Sequence, residues 1–293
     1  MKAFHSVLTA CLAVALLTAC TKINGYLKPY DPNGTDTTGS TGTGGKTTGS
    51  GGTADSTYNG VVTNNYQPDT TGSQWAYSVT EVFNIGNSTI AKEDPGEAAL
   101  FASYASDTTI TYNVQALGTP TAYDGLSYYS FTNDYYSGIY SPSFAVSNGT
   151  YTGVDMVWEV LWVGGGSFGG FSLNNDTLFY LKEQPTGTTW TQTTIQTDGF
   201  GGSDTTAYTF TIKATGLTKT ENKISYPNVI QVESTSLPSA FSAYAALFAA
   251  QGINLNTTTE YYYAKNVGLI EEDLNEPFMG ISLTTVLVSA TIK

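Results

Sequence analysis

The chain contains no arginine, and its single histidine is His5. Its two cysteines are Cys11 and Cys20, and its lysines are outnumbered about two to one by acids, for a net charge of -13. Each scarcity excludes something. Neutralising phosphates takes clustered lysine and arginine, so nucleic acid is excluded as a partner. His5 and Cys11 both lie in the first nineteen residues, ahead of Cys20. If that segment is removed, the rest has no imidazole, no guanidinium and no pair of thiols. It then lacks the usual general base, the bidentate anion clamp, soft metal ligands and any internal disulfide. Neither a cofactor nor a metal is expected, and a non-catalytic role is.

Long apolar runs are missing too. The stretch Val7 to Ala19 is too short to cross a bilayer, which needs roughly 20 apolar residues. One charge at Lys2, a short apolar core and Leu17-Thr18-Ala19-Cys20 are the marks of a secretory signal peptide over 1–19. The last four residues look like the lipobox of bacterial lipoproteins, in which the cysteine is acylated and becomes the first residue. Lipidated Cys20 would then be the link to the membrane, at about 0.8 kcal/mol per buried methylene. Thr21 and Lys22 follow, with no aspartate beside the lipid and no acidic run resembling a Bacteroidota surface-export signal. This predicts outer-membrane attachment in the cell envelope, with the face left open.

Residues 20–57 read as a flexible tether, because Asn33 to Thr57 is mostly Gly, Thr and Ser and cannot bury enough apolar surface to offset chain entropy. About 25 such residues span roughly 25 to 30 Å as a coil. From 58 to 293 the pattern becomes alternating runs broken by Gly, Asn, Asp and Pro, the signature of antiparallel strands. Trp75, Tyr77 and Val79 share a face, as do Ile110, Tyr112 and Val114, then Tyr208, Phe210 and Ile212. Val154 to Val163 is apolar on both faces and predicts a central strand. Leu237 to Ala250 predicts a helix, with Phe241, Tyr244, Leu247 and Phe248 at helical spacing, Ser236 as cap, Pro238 in the first turn and Gly252 past the end. Pro95 to Ala105 predicts a second, with Leu100, Phe101 and Tyr104 on its face. The expected fold is mainly β: a curved antiparallel sheet or half-barrel with one or two short helices packed on it.

A weak repeat suggests two related β units. Gly72-Ser73-Gln74-Trp75 is echoed by Gly187-Thr188-Thr189-Trp190, and Tyr112 to Tyr128 aligns without gaps on Phe210 to Tyr226. That alignment pairs Ala116 with Ala214 and Gly118 with Gly216, and places Asp124-Gly125 and Asn222-Lys223 at one hairpin turn.

Several motifs suggest chemistry without completing it. Gly165-Gly166-Ser167-Phe168-Gly169 fits a nucleophile elbow, but no histidine would remain to activate Ser167 and no helix follows. Glu271, Glu272, Asp273 and Glu276 lack the spacing of a calcium loop and read as a solvated acidic turn. Glu159, between Trp158 and Trp162, is the residue on which a remote alternative, a carboxylate-dependent glycoside hydrolase, would rest. Tyr123, Tyr128, Tyr129, Tyr135, Tyr136 and Tyr140 are either strand residues with a wet edge or rings that stack on a ligand.

The opening Gly72-Ser73-Gln74-Trp75-Ala76-Tyr77, the block Gly216 to Val232, the run Tyr261 to Ile270 and the ending Leu287 to Lys293 resemble a family of Bacteroidota lipoproteins, most of them uncharacterised. Members share a G-S-x-W-x-Y start and a Y-Y-A-K-G-V-G-L-I segment. They are similar in layout to TapB-type and lipoprotein-carrier (LolA-like) domains, in which a curved sheet wraps a hydrophobic cavity. Asn266 stands where the family has glycine, as a left-handed turn allows. The resemblance implies no catalytic residues. It implies a hydrophobic ligand or lipoprotein partner; a glycan is the alternative. Candidate ligand contacts are Trp158, Trp162, Tyr128, Tyr135, Phe241 and Tyr244. Asp followed by Thr or Ser is similar to the O-glycosylation site of exported Bacteroidota proteins, giving Thr37, Ser56, Thr70, Thr108, Thr177 and Thr205.

Overall fold

The computed structural model describes residues 46–48 and 56–293, apart from 104, 106, 119, 124, 134–142, 155–161, 164–165, 168–171, 174–176, 198–202 and 279. Sixteen strands among the described residues form one sheet. Twelve carry it: β1 Gln74–Phe83, β2 Thr108–Ala116, β3 Leu126–Asn133, β4 Ser143–Ser147, β5 Thr150–Val154, β6 Thr177–Lys182, β7 Thr189–Thr197, β8 Ser203–Glu221, β9 Ile224–Pro238, β10 Thr257–Ala264, β11 Gly268–Glu276 and β12 Ile281–Thr291. Except for β6 and β7, each pairs with its neighbour in sequence, and β12 pairs with β1, so the order runs from β7 through β12 and β1 to β6.

The result is a nearly closed antiparallel barrel, as the alternation predicts. On β1 the buried positions are Trp75, Tyr77, Val79 and Glu81. Tyr208, Phe210 and Ile212 on β8 and Tyr261 and Tyr263 on β10 are also buried. The interior is filled with rings: Phe144 meets Phe131 at 5.1 Å and Tyr180 at 5.5 Å, and Trp190 stacks on Phe210 at 5.2 Å. Each such large side chain contributes about 1.5–3 kcal/mol by leaving water.

The seam lies between β6 and β7, where side chains take the place of a backbone ladder. Trp190 Nε1 donates to the carbonyl of Phe179 at 2.7 Å, and Phe179 N donates to Gln192 Oε1 at 2.7 Å. The Lys182 amine lies 5.0 Å from the Trp190 ring. Gln192→Ala is therefore expected to free the Phe179 amide, raising its hydrogen-exchange rate and costing about 1 kcal/mol. An unchanged rate at Phe179 would show that the seam is held elsewhere.

The repeat falls on corresponding strands. Trp75 and Trp190 are each the second residue of a strand, β1 and β7. Gly118 and Gly216 both have positive φ, 103° and 68°. Asn222 and Lys223, at φ 46° and 65°, make the two-residue turn between β8 and β9. Gly125 turns Thr121–Tyr123 back onto β3. The register differs by two residues, since Gly72 N bonds Ala116 O whereas Gly187 N bonds Ile212 O. A shift of two keeps every side chain on its own face.

Helices α1 (Thr89–Glu93) and α2 (Pro95–Ala102) follow β1, and α3 (Ser239–Ala250) follows β9. Ser88 Oγ accepts from Ala91 N, and Asp94 Oδ1 from Gly96 and Glu97 N, capping the first two. Expectation and structure differ at α3. Ser236 and Pro238 complete β9, where they pair with Tyr208 and Thr206, so the helix starts two residues later than Leu237. Its end is as expected: Gly252 has φ 77° and Ile253 N bonds Phe248 O. Phe248 packs with Leu255 and Phe278, whereas Leu247 is 55% exposed. On α2 Ala98 is buried and Leu100 is 41% exposed. The central-strand reading of Val154 to Val163 lies largely outside the described residues.

Candidate functional site

Where the chain enters the barrel, it makes a strap. Lys46–Thr48 pairs with Ser289–Thr291 of β12, and Ser56–Thr57 pairs with Ile224–Ser225 of β9. Two pieces of the Gly, Thr and Ser stretch thus join the sheet, through backbone bonds that need no apolar side chain. Tyr58 N donates to Ser225 O at 2.9 Å, and the Tyr58 ring stacks on Tyr226 with centroids 5.9 Å apart.

Further along, the strap is held by the β10–β11 turn. Asn266 has φ 68°, the left-handed conformation its sequence position implies. Its Oδ1 accepts from Thr63 N at 3.0 Å and Asn64 N at 2.7 Å, while its own amide donates to Asn65 O. A glycine would make the turn but could not hold the strap. Tyr66 N then donates to Tyr151 Oη, which donates to Glu183 Oε1 at 2.7 Å. Burial raises the Tyr66 and Tyr151 phenols, so both stay neutral.

Between strap and barrel is a cleft of about 330 Å³, lined by Tyr58, Asn59, Gly60, Val62, Tyr226, Pro227, Asn228, Ala264, Lys265 and Asn266. It lies at the tether end of the β9–β10 ladder, where Val229 pairs with Ala264, and α3 joins the opposite end, where Ser236 pairs with Thr257. Burial raises the Tyr58 phenol and pushes Tyr226 up to about 12. Both are neutral at physiological pH. The lining holds one amine and three carboxamides, with no carboxylate.

The other candidates that are described lie on several elements. Tyr128, on β3, is 3% exposed and meets Tyr123 edge-on at 5.9 Å. Trp162 lies on the short strand Trp162–Val163, and Phe241 and Tyr244 lie on α3. Trp158, Glu159, Tyr135, Tyr136 and Tyr140 lie outside the described residues, as do Cys20 and Thr37. Ser56, Thr70 and Thr205 are exposed and Thr108 is half-buried, while Thr177 is the first residue of β6. Ser167 sits on a two-residue strand paired with Trp162, so the described part of that motif is not the strand-to-helix elbow a nucleophile needs.

The acidic run is a strand rather than a turn. Glu271 to Glu276 completes β11, and alternation sends successive carboxylates to opposite faces. Lys219 bridges to Glu271 at 2.8 Å and lies 3.7 Å from the Tyr262 ring. Glu272 pairs in register with Tyr261 and Thr285, both buried. Burial first, then the neighbouring Asp273, pushes its carboxyl up to about 7, against a hydrogen bond with Thr285. An acid raised on folding favours the protonated native state, so its stabilising effect is complete below the unfolded value of 4.5 and declines as pH rises towards 7. Urea unfolding at pH 5 and 8 is expected to show wild type losing on the order of 1–3 kcal/mol more than Glu272→Gln. Equal losses would show that Glu272 does not titrate in this window.

No family model matches the chain, and no curated protein does. Two solved structures are similar. One, from Parabacteroides distasonis, is provisionally described as a lipoprotein; it is 11% identical, with 77% of this chain and 98% of that one covered and a TM-score of 0.42. The other, from Bacteroides fragilis, is provisionally described as an exported protein with a YmcC-like fold; it is 9% identical, with 76% and 97% covered and a TM-score of 0.39. Neither likeness is close enough to carry a functional argument.

Proposed function

We propose that the chain is a lipid-anchored envelope protein that works by binding rather than catalysis, and that the cleft between strap and barrel is its ligand site. The anchor rests on Leu17-Thr18-Ala19-Cys20. The observation that carries the binding reading is the cleft's composition: Asn59, Asn228, Asn266 and Lys265 surround a space the size of a small-ligand pocket. Carboxamides both donate and accept, which suits the paired hydroxyls of a sugar. The lining therefore favours a glycan over an apolar ligand, whose pocket would be mostly hydrophobic. A lipid inside the barrel would have to displace packed rings such as Phe131, Phe144 and Tyr180.

A glycan array probed with the soluble domain tests this. Hits that Asn228→Ala weakens would support the reading. An array without hits, together with lipid co-purifying in native mass spectrometry, would overturn it in favour of the hydrophobic-ligand alternative.

A further inference from the structure

Acids outnumber lysines in the whole chain about two to one, yet the cleft reverses that balance. Lys265 is its one charged residue. Among the described residues the ion pairs are those of Lys213 and Lys219, and Lys265 makes none. Its amine lies 6.0 Å from the centre of the Tyr66 ring. An amine in the lining of a cleft without a carboxylate is a place for an external anion.

A second observation is independent of charge. Tyr58 is 8% exposed, and among the described residues its hydroxyl is buried with no hydrogen-bond partner. Leaving such a group unpaired costs stability. A Cβ on Gly60 would stand 2.0 Å from that hydroxyl, so any side chain here would force the Tyr58 ring to shift. The strap crosses the phenol with no side chain, so a small shift of the strap at Gly60 would let a ligand hydroxyl reach the phenol as its missing partner.

Resting on the reading of this cleft as a glycan site, we infer that its ligand is an acidic saccharide, with the carboxylate on Lys265 and sugar hydroxyls on the carboxamides and the Tyr58 phenol. Specificity for the acid comes from the amine. Specificity for a sugar over a bare anion comes from the neutral donors, which an anion alone cannot fully engage.

The experiment is an NMR titration of the soluble domain with a galacturonate oligomer, a neutral glucose oligomer of equal length, and inorganic phosphate. The uronate is expected to move the amide signals of Tyr58 to Gly60, of Tyr226 and Asn228, and of Ala264 to Asn266, and to bind about tenfold more tightly than the neutral oligomer, with phosphate weaker than both. Lys265→Gln is expected to remove most of that preference. Tyr58→Phe, which takes away a hydroxyl with no internal partner, is expected to weaken uronate binding while leaving unliganded stability unchanged or higher. If the neutral oligomer binds equally well and Lys265→Gln changes nothing, the acidic-sugar inference falls and the glycan site stands. Phosphate binding as tightly as the uronate would likewise overturn it, leaving a bare anion site. If no sugar moves these signals, both fall.

Discussion

Cys20→Ala is expected to abolish fatty-acid incorporation and cleavage before residue 20. The wild-type chain is expected to take up labelled palmitate and partition into detergent. Among the described residues no helix is long and apolar enough to cross a bilayer. Two or three acyl chains on one residue are sufficient for stable anchoring, and without them the Gly, Thr and Ser stretch has nothing apolar to insert. Normal processing of Cys20→Ala, with continued fractionation into envelope membranes, would refute the lipobox reading.

The second large effect is expected at Trp75, which is 2% exposed and joins three parts of the molecule. Its Nε1 donates to Val267 O at 2.6 Å, its ring meets Phe131 at 5.8 Å, and Gly268, at φ 105°, passes close to its indole nitrogen. Trp75→Ala removes that packing and orphans a carbonyl in the turn that also carries Asn266. The expected loss is about 3–5 kcal/mol, a large share of the stability of an ordinary domain. Trp75→Phe keeps most of the apolar contact but not the hydrogen bond, and is expected to lose about 1–3 kcal/mol. Urea midpoints of the two variants measure the difference. A Trp75→Ala midpoint within error of wild type would mean that the strap and β1 are not locked together by this residue.

Much of the barrel was legible in the sequence because a period of two is a local signal. Trp75, Tyr77 and Val79 state which face of β1 is buried whatever their partners are. The repeat foretold more than expected: the left-handed glycines at 118 and 216 and the paired hairpin turns needed only local backbone chemistry. The errors arose where tertiary pairing overrode local preference. Ser236 and Pro238 look like a helix start, but the ladder with β8 claims both. Glu271 to Glu276 looks like a turn because carboxylates are rarely strand residues, yet β10 and β12 hold the run between them.

The cleft was the least visible feature. Its lining comes from the strap, from the Tyr226-Pro227-Asn228 corner and from the β10–β11 turn, segments separated by more than a hundred residues in the first case. Of the aromatic candidates that are described, Tyr128 lies in the core and Trp162 on its short strand. One signal pointed towards the site: Asn266, at a turn position where glycine is the usual choice. A left-handed position needs no carboxamide, so an asparagine there hints at a bond made by its side chain. That bond is to the strap, through Thr63 and Asn64.

Hydrogen exchange read by mass spectrometry, on the soluble domain with and without a galacturonate oligomer, tests the central claim most directly. Binding at the strap cleft predicts slower exchange in peptides covering Tyr58 to Asn65, Tyr226 to Asn228 and Ala264 to Asn266, with the helices at 89–102 and 239–250 unchanged. Protection confined to those helices, or none anywhere, would contradict it.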